Sequence, residues 1–244
     1  MLPEICHIGV FTIYSYGLTL VLAFFAGTYL CAAQARREKT DPDLIFNLLF
    51  VIFISGVIGC RVFYILLNLP FYLANPLEII MLQHGGMAWF GGLIFGTLAG
   101  FIFAKKNKMD FLKTADLVVP FVALGQSIGR IGCFLNGCCF GREASVGIYS
   151  PVFHKILIPT QLYSSLLLLL IFLLLRTMQN TKHLPGLILY TYLFFYSLKR
   201  LLMEFLRNDS PRIIFGLTFF QLLSLTVLVF SALRIARMIK KSKK

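Results

Sequence analysis

Residues 44–67 read LIFNLLFVIFISGVIGCRVFYILL, twenty-four residues with a single full charge, Arg61. A hydrocarbon layer about 30 Å thick is crossed by roughly 20 apolar residues in helix. This stretch is therefore long enough to span, and its lone arginine would sit inside the layer. Six stretches of similar character lie around it, near Val10–Ala33, Met87–Ala104, Ala115–Ile128, Ile156–Leu175, Gly186–Phe205 and Ile213–Leu233. Together they predict an all-α polytopic membrane protein with seven transmembrane helices in one transmembrane domain over residues 1–244. The Ala115–Ile128 stretch is short, contains Pro120 and runs into glycines from Gly125. It is expected to be broken or buried among the others.

The composition agrees. Of 244 residues, 58% are hydrophobic and 14% charged, against about 25% charged in soluble domains, and the mean hydropathy is +0.82. That excludes a disordered chain and a small disulfide-stapled module, and it argues against a soluble enzyme.

The net charge is +13. Arg36, Arg37 and Lys39 follow the first span, Lys105, Lys106, Lys108 and Lys113 the third, and Arg176 and Lys182 the fifth. Arg234, Arg237, Lys240, Lys241, Lys243 and Lys244 follow the seventh. These are 15 of the 23 basic residues, and an alternating arrangement puts them all on one side. By the positive-inside rule that side is cytoplasmic, with the N-terminus outside and the C-terminus inside. Basic loops against an anionic leaflet account for the charge, and no nucleic acid is expected as a partner. The first span has no basic residue before it and is not read as a cleaved signal peptide.

Eight basic residues fall elsewhere: Arg61, Arg130, Arg142, Lys155, Lys199, Arg200, Arg207 and Arg212. A charge at mid-membrane costs at least ~2.5–3.5 kcal/mol and marks a functional candidate. Arg200, Glu204 and Arg207 share one helical face. They read either as an intrahelical ion pair or as part of a polar cavity for an anion. In a membrane the obvious anion is a lipid phosphate, which guanidinium binds in bidentate fashion. A second constellation runs from Gln126 to Arg142, where Gly129, Gly132, Gly137 and Gly141 alternate with Arg130 and Asn136. It is expected to be a Gly-rich turn, either packed in protein or lining a cavity. His84, ahead of Gly85 and Gly86, is either an interfacial histidine or a base. Cys133, Cys138 and Cys139 follow a C-x4-C-C spacing unlike the usual paired metal ligands. Small buried residues or a disulfide are expected there, and no metal or other cofactor.

At these residues the sequence resembles the bacterial prolipoprotein diacylglyceryl transferase family. The resemblance is carried in order by Tyr16-Gly17, Gly59-Cys60-Arg61, Gly85-Gly86-Met87 with Gly91-Gly92, Gly129-Arg130-Ile131-Gly132 through Asn136-Gly137 to Gly141-Arg142, Pro159-Thr160-Gln161-Leu162-Tyr163, the helix of Tyr196, Arg200, Glu204 and Arg207, and Gln221. Three positions depart from the family pattern. Phe90 stands where the family has His, Cys133 where it has Asn, and Cys138 where it has Glu.

The resemblance implies a multi-pass protein of the bacterial inner (cytoplasmic) membrane. Its reaction would move the diacylglyceryl group of phosphatidylglycerol to the lipobox cysteine thiol of a prolipoprotein, with glycerol phosphate leaving. Its partners would be phosphatidylglycerol, other membrane lipids and prolipoprotein signal peptides. Arg130 and Arg200 would hold the phosphate. Tyr16, Tyr196 and Asn136 would orient the head group, and Arg61, Gln161 and Tyr163 would add substrate contacts. Glu204 would orient Arg200 or pair with Arg207, and Gly132, Gly137 and Gly141 would keep a lipid pocket open. His84 would serve as base in place of the missing histidine, or the arginines would lower the thiol's pKa. Two other readings compete: a small-substrate transporter, for which the internal symmetry is missing, and a non-catalytic or altered-specificity lipid-binding protein of the same fold.

Overall fold

A computed structural model describes residues 2–8, 11–81, 85–207, 212–214 and 216–242. The elements in chain order are strands β1 (Glu4–Ile8) and β2 (Phe11–Tyr14), helices α1 (Ser15–Arg37), α2 (Pro42–Leu67) and α3 (Leu69–Ala74), a 3-10 turn at Pro76–Ile79, helices α4 (Trp89–Lys106) and α5 (Phe111–Leu135), strands β3 (Glu143–Ser150) and β4 (Lys155–Leu157), helices α6 (Thr160–Gln179) and α7 (Leu187–Glu204), strands β5 (Arg212–Ile214) and β6 (Leu217–Thr218), and helix α8 (Phe219–Ser242). Among the described residues five helices, α1, α2, α5, α6 and α8, are long and apolar enough to cross a membrane. The architecture is that of a helical polytopic membrane protein. The third and sixth predicted spans correspond to α4 and α7, 18 residues each.

The helices turn large apolar side chains outward, with Tyr29 76%, Phe25 59% and Leu166 58% exposed, and bury Ser127, Gln161, Ser164 and Ser231. Lipid-facing helices that pair through small polar residues look like this. The three antiparallel hairpins, β1–β2, β3–β4 and β5–β6, go beyond the all-α expectation. They take up the ends of two predicted spans, so α1 begins at Ser15 rather than Val10 and α8 at Phe219 rather than Ile213.

The chain divides into two compact units, residues 1–31 with 115–244, and residues 32–114. In the smaller unit α2 lies against α4, with glycine facing glycine. A Cβ on Gly91 would come within 2.1 Å of the Gly59 carbonyl oxygen, and one on Gly59 within 2.6 Å of that of Gly91. Backbones this close are the membrane form of small-residue packing.

The larger unit packs Val119 and Ala123 of α5, Ile171 and Leu175 of α6, and Ile188 and Tyr192 of α7 into one core. The fourth span is neither short nor broken, because α5 runs 25 residues through Pro120, but it is buried, as the second alternative had it, with Leu117, Val118, Phe121 and Ala123 all inside. Proline lacks the N–H that would bond the carbonyl four residues back. Here that carbonyl belongs to Asp116, and it accepts instead from Gln179 Nε2 at 2.9 Å. Asp116 itself reaches the start of α7, its carboxylate accepting from the backbone N–H of Gly186 at 2.6 Å and Leu189 at 2.8 Å. Across α5 and α6, Ser127 and Ser165 each donate a hydroxyl to the other's carbonyl, at 2.8 and 2.9 Å.

Candidate active site

The stretch expected as a Gly-rich turn is helical as far as Leu135. Gly132 lies in α5, where a Cβ would meet Thr19 Oγ1 of α1 at 2.0 Å. It therefore seats one helix on another rather than opening a pocket. The turn begins at Asn136 and is a Schellman motif. Gly137 has φ 74°, its N–H bonds the Phe134 carbonyl, and the Cys138 N–H reaches back to the Cys133 carbonyl, both at 3.1 Å. These are the 5→2 and 6→1 bonds that close a helix C-terminus.

The segment after the turn is fixed from both sides. Gln161 Nε2, fully buried at the start of α6, donates to the Cys138 carbonyl at 2.6 Å, and Thr160 Oγ1 to that of Cys139 at 2.8 Å. Gly141 N–H bonds the Ile158 carbonyl and Arg142 N–H the Leu206 carbonyl, each at 2.8 Å. A Cβ on Gly141 would stand 2.6 Å from the Leu206 carbonyl oxygen, so this glycine too marks close packing and not an open pocket.

Against this frame stand four cationic side chains. Arg200 lies within electrostatic reach of Arg130, Arg207, Glu204 and Tyr196, and Lys199 within reach of Arg130 and Arg200. Arg200 Nη2 is 3.1 Å from Glu204 Oε2, and its guanidinium lies over the Phe220 ring at 4.5 Å. Glu204 is buried, and its other oxygen accepts from Thr218 Oγ1 at 3.0 Å. Thr218 is itself held in a reciprocal pair, with its N–H donating to Gln221 Oε1 at 2.9 Å and Gln221 N–H donating to its hydroxyl at 3.2 Å. That is a capping box at the start of α8. Lys199 is 4% exposed with Nζ over the Tyr196 ring at 4.6 Å. Among the described residues, neither Lys199 nor Arg130 has a hydrogen bond or an ion pair. Like charges in a protected place without carboxylates of their own call for an anion from outside.

Tyr16, at the start of α1, feels the charge of Arg130 and the three thiols Cys133, Cys138 and Cys139. These cysteines are half-buried, and their sulfurs all lie within 4.8 Å of one another. The expectation of small buried residues does not describe such a convergence. Hydrogen bonds from Cys133 and Cys138, with the charges of Arg207 and Arg130, hold the Cys139 thiol far below the usual thiol range.

Of the sequence-derived candidates, Tyr16, Arg130, Gly132, Asn136, Gly137, Gly141, Gln161, Tyr196, Arg200 and Glu204 fall within the larger unit. Tyr163 is also there, but 46% exposed. Arg61 belongs to the smaller unit, and His84 lies outside the described residues. Arg61 does not have the form of a phosphate ligand. Its Nε donates to the Ile79 carbonyl at 3.2 Å, Nη1 to Gly85 and to Gly86 at 3.0 Å, and Nη2 to Glu78 and to Met81 at 3.1 Å. A guanidinium has five N–H donors, and all five are spent on the loop before α4. Sequence reasoning left Lys199, Thr218 and Asp116 without roles. The Thr218-x-x-Gln221 spacing was a readable signal for the first turn of α8, whereas Asp116 had none.

The family model for prolipoprotein diacylglyceryl transferase matches residues 3–237. The chain belongs to the prolipoprotein diacylglyceryl transferase family. It is 34% identical over 239 residues to the phosphatidylglycerol–prolipoprotein diacylglyceryl transferase of Clostridium tetani, covering 94% of each chain. To the protein of the same name from Trichormus variabilis it is 37% identical over 228 residues, covering 85% of this chain and 79% of the relative. A 138-residue match to the Fusobacterium nucleatum protein of that name reaches 47% identity, covering 56% of this chain and 48% of the relative. The chain is a membrane transferase by family, and Arg130, whose side chain has no hydrogen bond or ion pair among the described residues, lies in the segment that carries the family resemblance.

Proposed function

We propose that this chain transfers the diacylglyceryl group of phosphatidylglycerol to the lipobox cysteine thiol of prolipoproteins, at the outer side of the bacterial cytoplasmic membrane. The observation that carries the reading is Arg130, a guanidinium in an apolar helix with no protein partner among the described residues, beside Lys199 and Arg200. In the reaction the acceptor thiolate attacks the glycerol carbon bonded to the phosphate oxygen. The carbon–oxygen bond breaks, a thioether forms, and the pair of electrons leaves with glycerol phosphate. Charge grows on the phosphate as it leaves, so cations fixed around it stabilise the transition state more than the ground state.

Arg130 and Arg200 bind that phosphate, with Lys199 adding charge. Glu204, anchored through Thr218, aims Arg200. Tyr16, Tyr196 and Asn136 orient the head group. Gln161 acts through the Cys138 carbonyl it holds. The thiol proton goes to His84 or is lost to solvent under the pull of the arginines. Single-domain folding with seven spans, N-terminus outside and C-terminus in the cytoplasm, is supported by the 15 basic residues on one side and by α4 and α7 as the two further membrane helices. The signal peptide of the acceptor and other membrane lipids complete the partners.

The test is transfer by purified protein from labelled phosphatidylglycerol to a lipobox peptide, read as lipidated peptide and released glycerol phosphate. Absence of both, with the lipid still bound, would establish the altered-specificity or non-catalytic reading instead. In the same assay His84→Gln should lower the rate sharply, and Phe90→His on that background should restore part of it. An unchanged rate and pH profile in His84→Gln would leave ionisation of the thiol to the arginines.

A further inference from the structure

The three cysteines gain their arrangement from the backbone. In a Schellman motif the third residue from the helix end and the second residue past it are joined by the 6→1 bond, and their side chains meet. Those two positions are Cys133 and Cys138, so a C-x4-C spacing that looks wrong for metal on an extended chain is the spacing that a helix terminus brings together. Cys139 follows with φ 64°, a left-handed conformation that a side-chain-bearing residue rarely takes. It is held there by the Thr160 and Gln161 hydrogen bonds to the two cysteine carbonyls. The third sulfur is thereby turned to the other two, and all three lie within 4.8 Å.

We propose that Cys133, Cys138 and Cys139 bind one thiophilic divalent cation, Zn2+, through three thiolates, and that its open fourth position takes the thiol of the acceptor cysteine. Tetrahedral zinc with Zn–S bonds of about 2.3 Å sets sulfurs about 3.8 Å apart, within small side-chain rotations of the present positions. Three thiolates and Zn2+ sum to one negative charge, and Arg130 and Arg207, whose charges act on Cys139, offset it. Among the described residues the cluster holds three His, Cys, Asp or Glu ligands and no fourth, which is the pattern of a site that keeps a position open for substrate.

The second half of the proposal rests on the transferase reading. A thiol that coordinates zinc is deprotonated outright, and it remains able to attack carbon. The proton goes to solvent, the sulfur–carbon bond forms as the carbon–phosphate oxygen bond breaks, and the thioether, a weaker ligand, leaves the metal. The cysteines that replace the family's Asn and Glu would thus do the work of the base that Phe90 no longer provides.

The experiment uses the full chain, purified in detergent under reducing conditions, loaded with Zn2+ and freed of excess. The expected result is about one zinc per chain, retained in Cys60→Ser and lost at least tenfold in Cys139→Ser and in Cys133→Ser. Replacement by Co2+ should give thiolate charge-transfer and tetrahedral d–d bands. A lipobox peptide should shift those bands, and the same peptide with its cysteine changed to serine should not. Less than a tenth of a zinc per chain, or zinc retained in the cysteine variants, overturns the site. So does protein that lacks zinc and has lost two of its six free thiols to a disulfide. Zinc bound with bands that the thiol peptide leaves unmoved overturns the open position. Variants that fail to fold are recognised by lost helical circular dichroism, and Cys138→Ala then takes their place. Metal content is read without any transfer, so protein that binds zinc and transfers nothing refutes the transferase reading alone.

Discussion

Arg61 and Arg130 are both arginines within apolar helices, and the structure uses them in opposite ways. Every donor of Arg61 ends on a carbonyl of the segment from Glu78 to Gly86, and its guanidinium also lies 5.3 Å from the Tyr72 ring. Arg130 has no such partner among the described residues, and Lys199 and Arg200, which feel its charge, are of its own sign. A satisfied buried charge organises backbone. An unsatisfied one is tolerated at a cost that a ligand of opposite charge removes. The comparison separates stability from activity, and substitutions at the two places should separate the same way.

The largest effect is expected at Arg130 and Arg200, the two arginines assigned to the phosphate. Arg130→Ala and Arg200→Ala should each lower the transfer rate by about 10²–10³ while the protein still inserts, and Arg130→Ala should also melt normally in detergent. Arg→Lys should recover little, since the planar fork is lost. Near-normal turnover in either alanine variant would move the phosphate elsewhere. Arg61→Ala should show the reverse pattern. Five carbonyls lose their donor, and about 3 kcal/mol of stability is expected to go, read as a lower melting temperature and faster proteolysis near Glu78–Met81. Any remaining folded protein should keep its turnover number. A drop in turnover without a change in melting would return Arg61 to the phosphate site.

Sequence alone could not tell these two arginines apart. Both follow glycine or cysteine in an apolar run, and what differs is which carbonyls come back to meet them from 17 to 25 residues away. The helices themselves were legible, because span length and charge spacing are local properties. Residues 44–67 became α2 with two residues added at its start. The hairpins were not legible, since Phe11–Tyr14 and Arg212–Ile214 are as apolar as the helices they precede. The pairing of Arg200 with Glu204 was legible because a motif fixed residue type and spacing. The site was misread where glycines could mean either an open pocket or a close contact. Gly132 and Gly141 are close contacts, and only the partner helices reveal it.

Glu204 sharpens the comparison on the catalytic side. It is a buried carboxylate that serves an arginine and is itself held by Thr218. Glu204→Gln keeps the shape and the Thr218 contact but removes the charge facing Arg200. Turnover is expected to fall about tenfold, equivalent to one weakened charge-assisted bond, with the larger change in kcat than in KM, because the misaimed guanidinium matters most as charge develops. Thr218→Val should have a smaller effect in the same direction. A Glu204→Gln variant that changes KM alone would make Glu204 a contact for the ground state of the lipid.

The smallest effect tests the same rule within α5, on a backbone group in place of a charge. Pro120 leaves the Asp116 carbonyl without its helical donor, and Gln179 supplies one from α6, bonding the Leu117 carbonyl at 3.0 Å as well. Gln179→Leu should therefore cost about 1 kcal/mol of stability and leave turnover unchanged. Pro120→Ala restores the missing N–H, so in that background the Asp116 carbonyl bonds within its own helix and Gln179→Leu should cost less. The coupling between the two positions, measured as a double-mutant cycle on melting, isolates that one carbonyl. If the costs simply add, Gln179 stabilises the helix pair by packing and by the Leu117 bond. The unbroken course of α5 through Pro120 would then owe nothing to a borrowed donor.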